Sequence, residues 1–125
     1  MIKNFKRIAV LTLEFDLGKN ILIGDNETGK RSVLLVLDLA PSASRSRVEN
    51  IGYEALLNQG AVQNFLAGPA RLDLLPEVIV DVFLEERHQG FYGTQNVLGI
   101  QADGLRMVVS AAAGRSCGGG VRWIA

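Results

Sequence analysis

Within residues 20–32, Asn-Ile-Leu-Ile-Gly-Asp-Asn-Glu-Thr-Gly-Lys-Arg-Ser, an apolar run enters a segment framed by Gly24 and Gly29, and a second apolar run, residues 33–39, leaves it. Few folds accept such a sequence. The first run is short and bounded by turn formers, as a strand would be, and the second has the length of a helix. A strand that stops at one glycine and a helix that starts after another are joined by a tight loop. The glycines permit backbone angles that turn successive N–H groups inward, and the helix adds the positive end of its dipole. The segment therefore predicts an α/β fold with an anion cradle at a strand–helix junction. A fortuitous glycine turn at a helix start is the competing reading, and the flanking runs count against it.

Four residues separate Gly24 from Gly29-Lys30, the spacing of a phosphate-binding loop. Its ligand would be a nucleoside triphosphate, with Lys30 reaching the outer phosphates as a mobile point charge. The position after that lysine normally carries Ser or Thr, whose hydroxyl coordinates the Mg²⁺ bridging the terminal phosphates. Here it is Arg31. A guanidinium offers donors only and a permanent positive charge, so it cannot ligate the ion and repels it. Ser32 is no simple substitute, because one step along a helix rotates a side chain by about 100°. The residues point to nucleotide binding that is weak or metal-independent, without hydrolysis.

With 125 residues and 48% hydrophobic content, the chain has the size of one domain, or of a piece of one, and ample material for a core. Lys3, Lys6 and Arg7 precede the apolar residues 8–11 as in a secretion signal, but Glu14 and Asp16 follow too soon. No run approaches a membrane span, so a cytoplasmic chain without a membrane partner is expected. The single Cys117 fits a reducing compartment. Thirteen basic and thirteen acidic residues cancel, which leaves no overall electrostatic footprint for nucleic acid.

The opening reads as an antiparallel hairpin. Residues 8–15 form its first strand, residues 16–20 its turn and residues 21–24 its second strand. The helix after the loop runs over residues 29–40, ended by Pro41 and Ser42, and residues 42–47 are an exposed connection. A second helical region spans residues 48–67, broken near Gly60. Residues 77–86 are the clearest strand, with Val78, Val80, Val82 and Leu84 on one side and Ile79, Asp81, Phe83 and Glu85 on the other, and residues 105–110 are the next. From Ala111 onward periodicity and turn logic both disappear. Two readings of residues 111–125 stand side by side: a flexible terminus, and residues from a shifted reading frame that were never selected for a fold.

Residues 1–8 (Met-Ile-Lys-Asn-Phe-Lys-Arg-Ile), the strand ending in Phe15 and the phosphate loop together resemble the amino terminus of RecF/SMC-like ATPase heads, and most of all the OLD-family ATP-dependent endonucleases. Those proteins begin with a short I-x-N-F-R strand and a hairpin, then N-x-L-I-G-x-N-x-x-G-K-S-S and an apolar helix. The resemblance reaches residue 110. It implies a P-loop NTPase fold, the amino-terminal part of an ABC/SMC-like ATPase head over residues 1–110, with a hairpin, a P-loop helix and further antiparallel strands. It also implies ATP as cofactor, Mg²⁺ as the family's metal, DNA as the intact family's partner and a carboxy-terminal Toprim nuclease domain. The nucleotide-site residues carried over are Gly24, Asn26, Gly29 and Lys30, with Ser32 matching the second Ser of the pattern. Glu27, Thr28 and Arg31 complete the candidate pocket. Arg31 departs from the family, and the signature motif, the water-activating acidic strand and the nuclease domain all lie beyond residue 125, so an ATP-binding fragment or a non-catalytic binding module is expected. In intact heads the sheet is completed by strands from the carboxy-terminal half, so exposed edges, poor solubility and self-association are expected of this chain alone.

Other candidates are weaker. Residues 78–81 and 82–86 each mimic an apolar strand ending in acid, where Asp81 or Glu85 would serve the metal and the attacking water. Such catalytic strands are apolar on both faces, whereas this one alternates, which favours a structural role. A small P-loop kinase or GTPase would show a parallel βαβ rhythm that is missing after the first helix. His88 reads as a solvated surface residue and Cys117 as an incidental thiol. Lys3, Lys6, Arg7, Arg45 and Arg47 suit either DNA phosphates or a plain solvated face, and the second is the commoner case.

Overall fold

The computed structural model describes residues 1–25, 29–42, 44–69, 71–85, 92–93, 102–110 and 120–124. Among them an antiparallel sheet is packed against four helices, an α/β arrangement. The strands are β1 (Ile2–Phe5), β2 (Ile8–Leu11), β3 (Val78–Phe83), β4 (Tyr92–Gly93), β5 (Ala102–Ser110) and β6 (Gly120–Ile124). The main order is β2-β1-β3-β5. The far edge of β5 is shared, with β4 beside its first residues and β6 beside Arg106 to Ser110. The pair β3–β5 is the longest match with β3, running from Val78 opposite Val109 to Phe83 opposite Gly104. Its β-branched residues suit a pleated surface.

Helix α1 (Lys30–Ser42) lies across β3 and β5. Val33, Val36, Leu39 and Ala40 recur every three or four residues, forming one stripe, and all are buried. They meet Ile2, Phe5, Ile8, Val78, Val80, Met107 and Val109 from the sheet, and Val48, Leu56 and Leu57 close the core. Helices α2 (Arg45–Ile51), α3 (Tyr53–Leu56) and α4 (Gln59–Ala67) replace the single long region expected. Their breaks fall at Gly52, with φ of 88°, and at Asn58, not at Gly60, which lies inside α4. Asn58 is the cause of the second break: its Oδ1 accepts the Ala61 N–H at 3.1 Å, an N-cap. The connection at residues 42–47 is correspondingly shorter, since α2 starts at Arg45.

The expected hairpin is corrected. The pair is β1 with β2, Phe5 opposite Ile8, turning through Lys6 and Arg7 alone. Residues 12–25 form no strand, and Leu17, Ile21 and Ile23 are 96%, 73% and 91% exposed. Three tertiary bonds explain why the turn falls early. Lys6 N–H donates to the Leu56 carbonyl at 2.7 Å, the Asn58 side-chain amide donates to the Lys6 carbonyl at 2.6 Å, and Asn58 N–H donates to the Asn4 carbonyl at 2.9 Å. They hold Asn4 and Lys6 at φ of 55° and 49°, angles costly for non-glycine residues.

The strand expected over residues 77–86 is β3, and β5 contains the one expected over residues 105–110. Residues 120–124, part of the expected irregular tail, instead form β6 on β5, while residues 111–119 lie outside the described residues. No described helix is long and apolar enough to cross a membrane.

Candidate functional site

Helix α1 begins at Lys30, one residue later than expected, and continues through Pro41 to Ser42. The first helical bond runs from Val33 N–H to the Gly29 carbonyl at 3.0 Å, so the N–H groups of Lys30, Arg31 and Ser32 have no partner within the helix. Gly29 has φ of 91°. A Cβ built there would meet nothing closer than Ile8 Cγ1 at 3.7 Å, so space is sufficient and the backbone angle alone demands glycine. The Lys30 ammonium turns back and donates to the Gly24 carbonyl, closing the loop on itself. Gly24, Gly29 and Lys30 are thus brought together. Asn26, Glu27 and Thr28 lie outside the described residues, as do His88 and Cys117.

Arg31 and Ser32 face a different space from Lys30. They line a cleft of about 700 Å³ together with Lys6 and Arg7 at the hairpin turn, and with Glu54, Asn58 and Gln59 from the α3–α4 junction. Ser32 is 7% exposed. Three cations and one carboxylate border the cleft, so its charge favours anions. Sequence reading missed the cleft because Lys6 and Arg7 reach it through a turn lacking the usual Gly or Asn. The available signal was Asn58, a capping residue ahead of a helix.

The residues present do not fit Mg²⁺. In the phosphate-loop pattern expected from the sequence Arg31 takes the place of the metal-binding hydroxyl, and among the described residues no three His, Cys, Asp or Glu side chains cluster as a metal site. Asp81 is committed elsewhere. It is 4% exposed, and its Oδ1 and Oδ2 accept from Arg106 Nε and Nη2 at 2.7 and 3.0 Å, across directly opposed positions of β3 and β5. This bidentate bond is the main cause that raises the Arg106 pKa. The geometry agrees with a structural role for Asp81.

Two further basic candidates are engaged locally. Arg45 Nε donates to Glu49 Oε1 at 2.6 Å, and Arg47 pairs with Asp38, both on exposed surface. These are helix-surface pairs of the ordinary kind. Lys3 is exposed on β1. No family model matches the chain, and neither the curated proteins nor the solved structures provide a match.

Proposed function

We propose that the chain binds a nucleoside triphosphate, ATP in the family it resembles, through the loop 24–30 at the start of α1. The observation that carries this reading is the Lys30 ammonium folded onto the Gly24 carbonyl at the start of α1, with Gly29 in a left-handed conformation. A cation and the positive end of a helix dipole at one place are what polyphosphate binding uses. On this reading the chain is the amino-terminal, P-loop part of an OLD-like, DNA-acting ATPase and nuclease, with hydrolysis impaired. DNA would be the partner of the intact assembly.

A second reading is a binding module that keeps the pocket without turnover. Arg31 in place of a metal-binding hydroxyl and the engagement of Asp81 with Arg106 favour it. Equilibrium titration of ATP into the chain and its Lys30→Ala variant, followed by phosphate release assays, tests both. The expected result is binding that weakens at least about tenfold in the variant, as for loss of a charge-assisted contact, and no phosphate release. Equal affinity in both proteins would remove the loop from the account, and steady release of phosphate would remove the impairment.

A further inference from the structure

Residues 20–24 are an apolar stretch with no strand beside them. They run without a turn or bend, and among the described residues no backbone–backbone hydrogen bond reaches them. Leu22 packs against the core, whereas Ile21 and Ile23 on either side of it are 73% and 91% exposed, the in-and-out alternation of a strand. The approach is pinned by Asn20, whose Oδ1 accepts the Asp16 N–H and whose Nδ2 donates to the Asp16 carbonyl, both at 2.9 Å. No charge and no proline falls between Asn20 and Gly24, so the usual devices that blunt a free strand are missing from it. The residue order also reads nearly the same from either end. Around Leu22 stand Ile21 and Ile23, then the uncharged Asn20 and Gly24, then the opposite charges Lys19 and Asp25, both exposed.

We propose that residues 19–25 pair antiparallel with the same residues of a second copy of this chain, about a two-fold axis through Leu22. An isologous contact requires a patch that complements itself, and this one does. The axis sets Ile21 of one copy against Ile23 of the other, a branched cross-strand pair made twice, and Lys19 against Asp25, an ion pair made twice. Like charges at those ends would repel. The hydrogen bonds also fit: with Leu22 at a non-hydrogen-bonded position, Ile21 and Ile23 of opposite copies exchange both ladder bonds. The Gly24 carbonyl, engaged by Lys30, is then not needed. This pairing is independent of nucleotide binding.

The test is sedimentation equilibrium of the full chain and its variants, with circular dichroism recording that each is folded. Wild type should be largely dimeric at about 0.1 mM, a modest affinity suited to a short contact. Ile23→Pro removes a ladder N–H from each copy and should weaken the dimer at least about tenfold. Lys19→Asp and Asp25→Lys each set like charges opposite one another and should each weaken it about three- to tenfold. Mixed in equal amounts, these two variants restore opposite charges at both ends and should form mixed dimers about as tight as wild type. A monomeric wild type, an Ile23→Pro variant that associates like wild type, or a mixture no tighter than its components overturns the inference. Where a charge variant is unfolded, the Ile23→Pro comparison decides.

Discussion

The strands β3 and β5 and the segment leading to α1 are both rich in branched apolar residues, yet they behave in opposite ways. In β3 and β5, Val78, Val80, Met107 and Val109 are buried under α1, every residue of β3 is paired with one of β5, and the charged residues Asp81 and Arg106 bind one another. Along residues 12–25 comparable side chains, Phe15, Leu17, Ile21 and Ile23, lie exposed without a ladder. Apolar composition alone therefore does not make a strand; a partner edge does. The first region supplies the stability of the molecule. The second leads to the glycine-framed loop ahead of α1 and contributes little buried surface.

That contrast can be broken or sharpened. The largest effect is expected from Arg106→Ala, which removes the bidentate partner of the buried Asp81 carboxylate and should cost about 3–5 kcal/mol in denaturant unfolding at neutral pH. A loss below 1 kcal/mol would show that β3 and β5 are not the stabilising pair. Next is Gly104→Ala. A Cβ there would lie 2.4 Å from the Val82 carbonyl oxygen on the neighbouring strand, and the forced shift should cost about 1–3 kcal/mol. Thermal unfolding no different from wild type would contradict that close approach.

A pH effect tests how α3 is tied to the approach to β3. Tyr53 O–H donates to the Pro76 carbonyl at 2.5 Å, and burial, then Glu77, pushes its pKa above the ordinary value. A raised folded pKa favours the protonated phenol. Its stabilising contribution is therefore full below about pH 10, the unfolded value, and is lost as pH rises through the folded value. Wild type should destabilise in that alkaline window more steeply than Tyr53→Phe; parallel curves would refute the coupling. The smallest effect is expected in the other region, where Ile23→Ser should change unfolding by less than about 0.5 kcal/mol while reducing self-association. A marked loss of stability would mean that this segment is packed after all.

The legible parts of the fold were those in which local pattern and tertiary environment agree. The alternation from Val78 and the helix-length apolar run over residues 33–39 both lie in elements of the expected type, a strand over Val78–Phe83 and a helix over Lys30–Ser42. The first hairpin was misplaced because its turn, Lys6-Arg7, has no turn chemistry of its own and is imposed by Leu56 and Asn58, far along the chain. The same long-range bonds hold the turn that borders the cleft, so the cleft was invisible locally. Gly29 was readable because a glycine before a helix reports a backbone requirement, and its φ of 91° meets it. Arg31 was readable as a misfit, but its companions Lys6 and Ser32 required the folded chain.

Amide hydrogen exchange with and without ATP tests the central claim most directly, because it reports on both regions in one experiment. If the loop at the start of α1 is the nucleotide site, ATP should slow exchange in residues 24–33 and leave the β3 and β5 ladder unchanged. Protection that appears in the ladder but not in residues 24–33, or no protection at saturating ATP, would contradict the account.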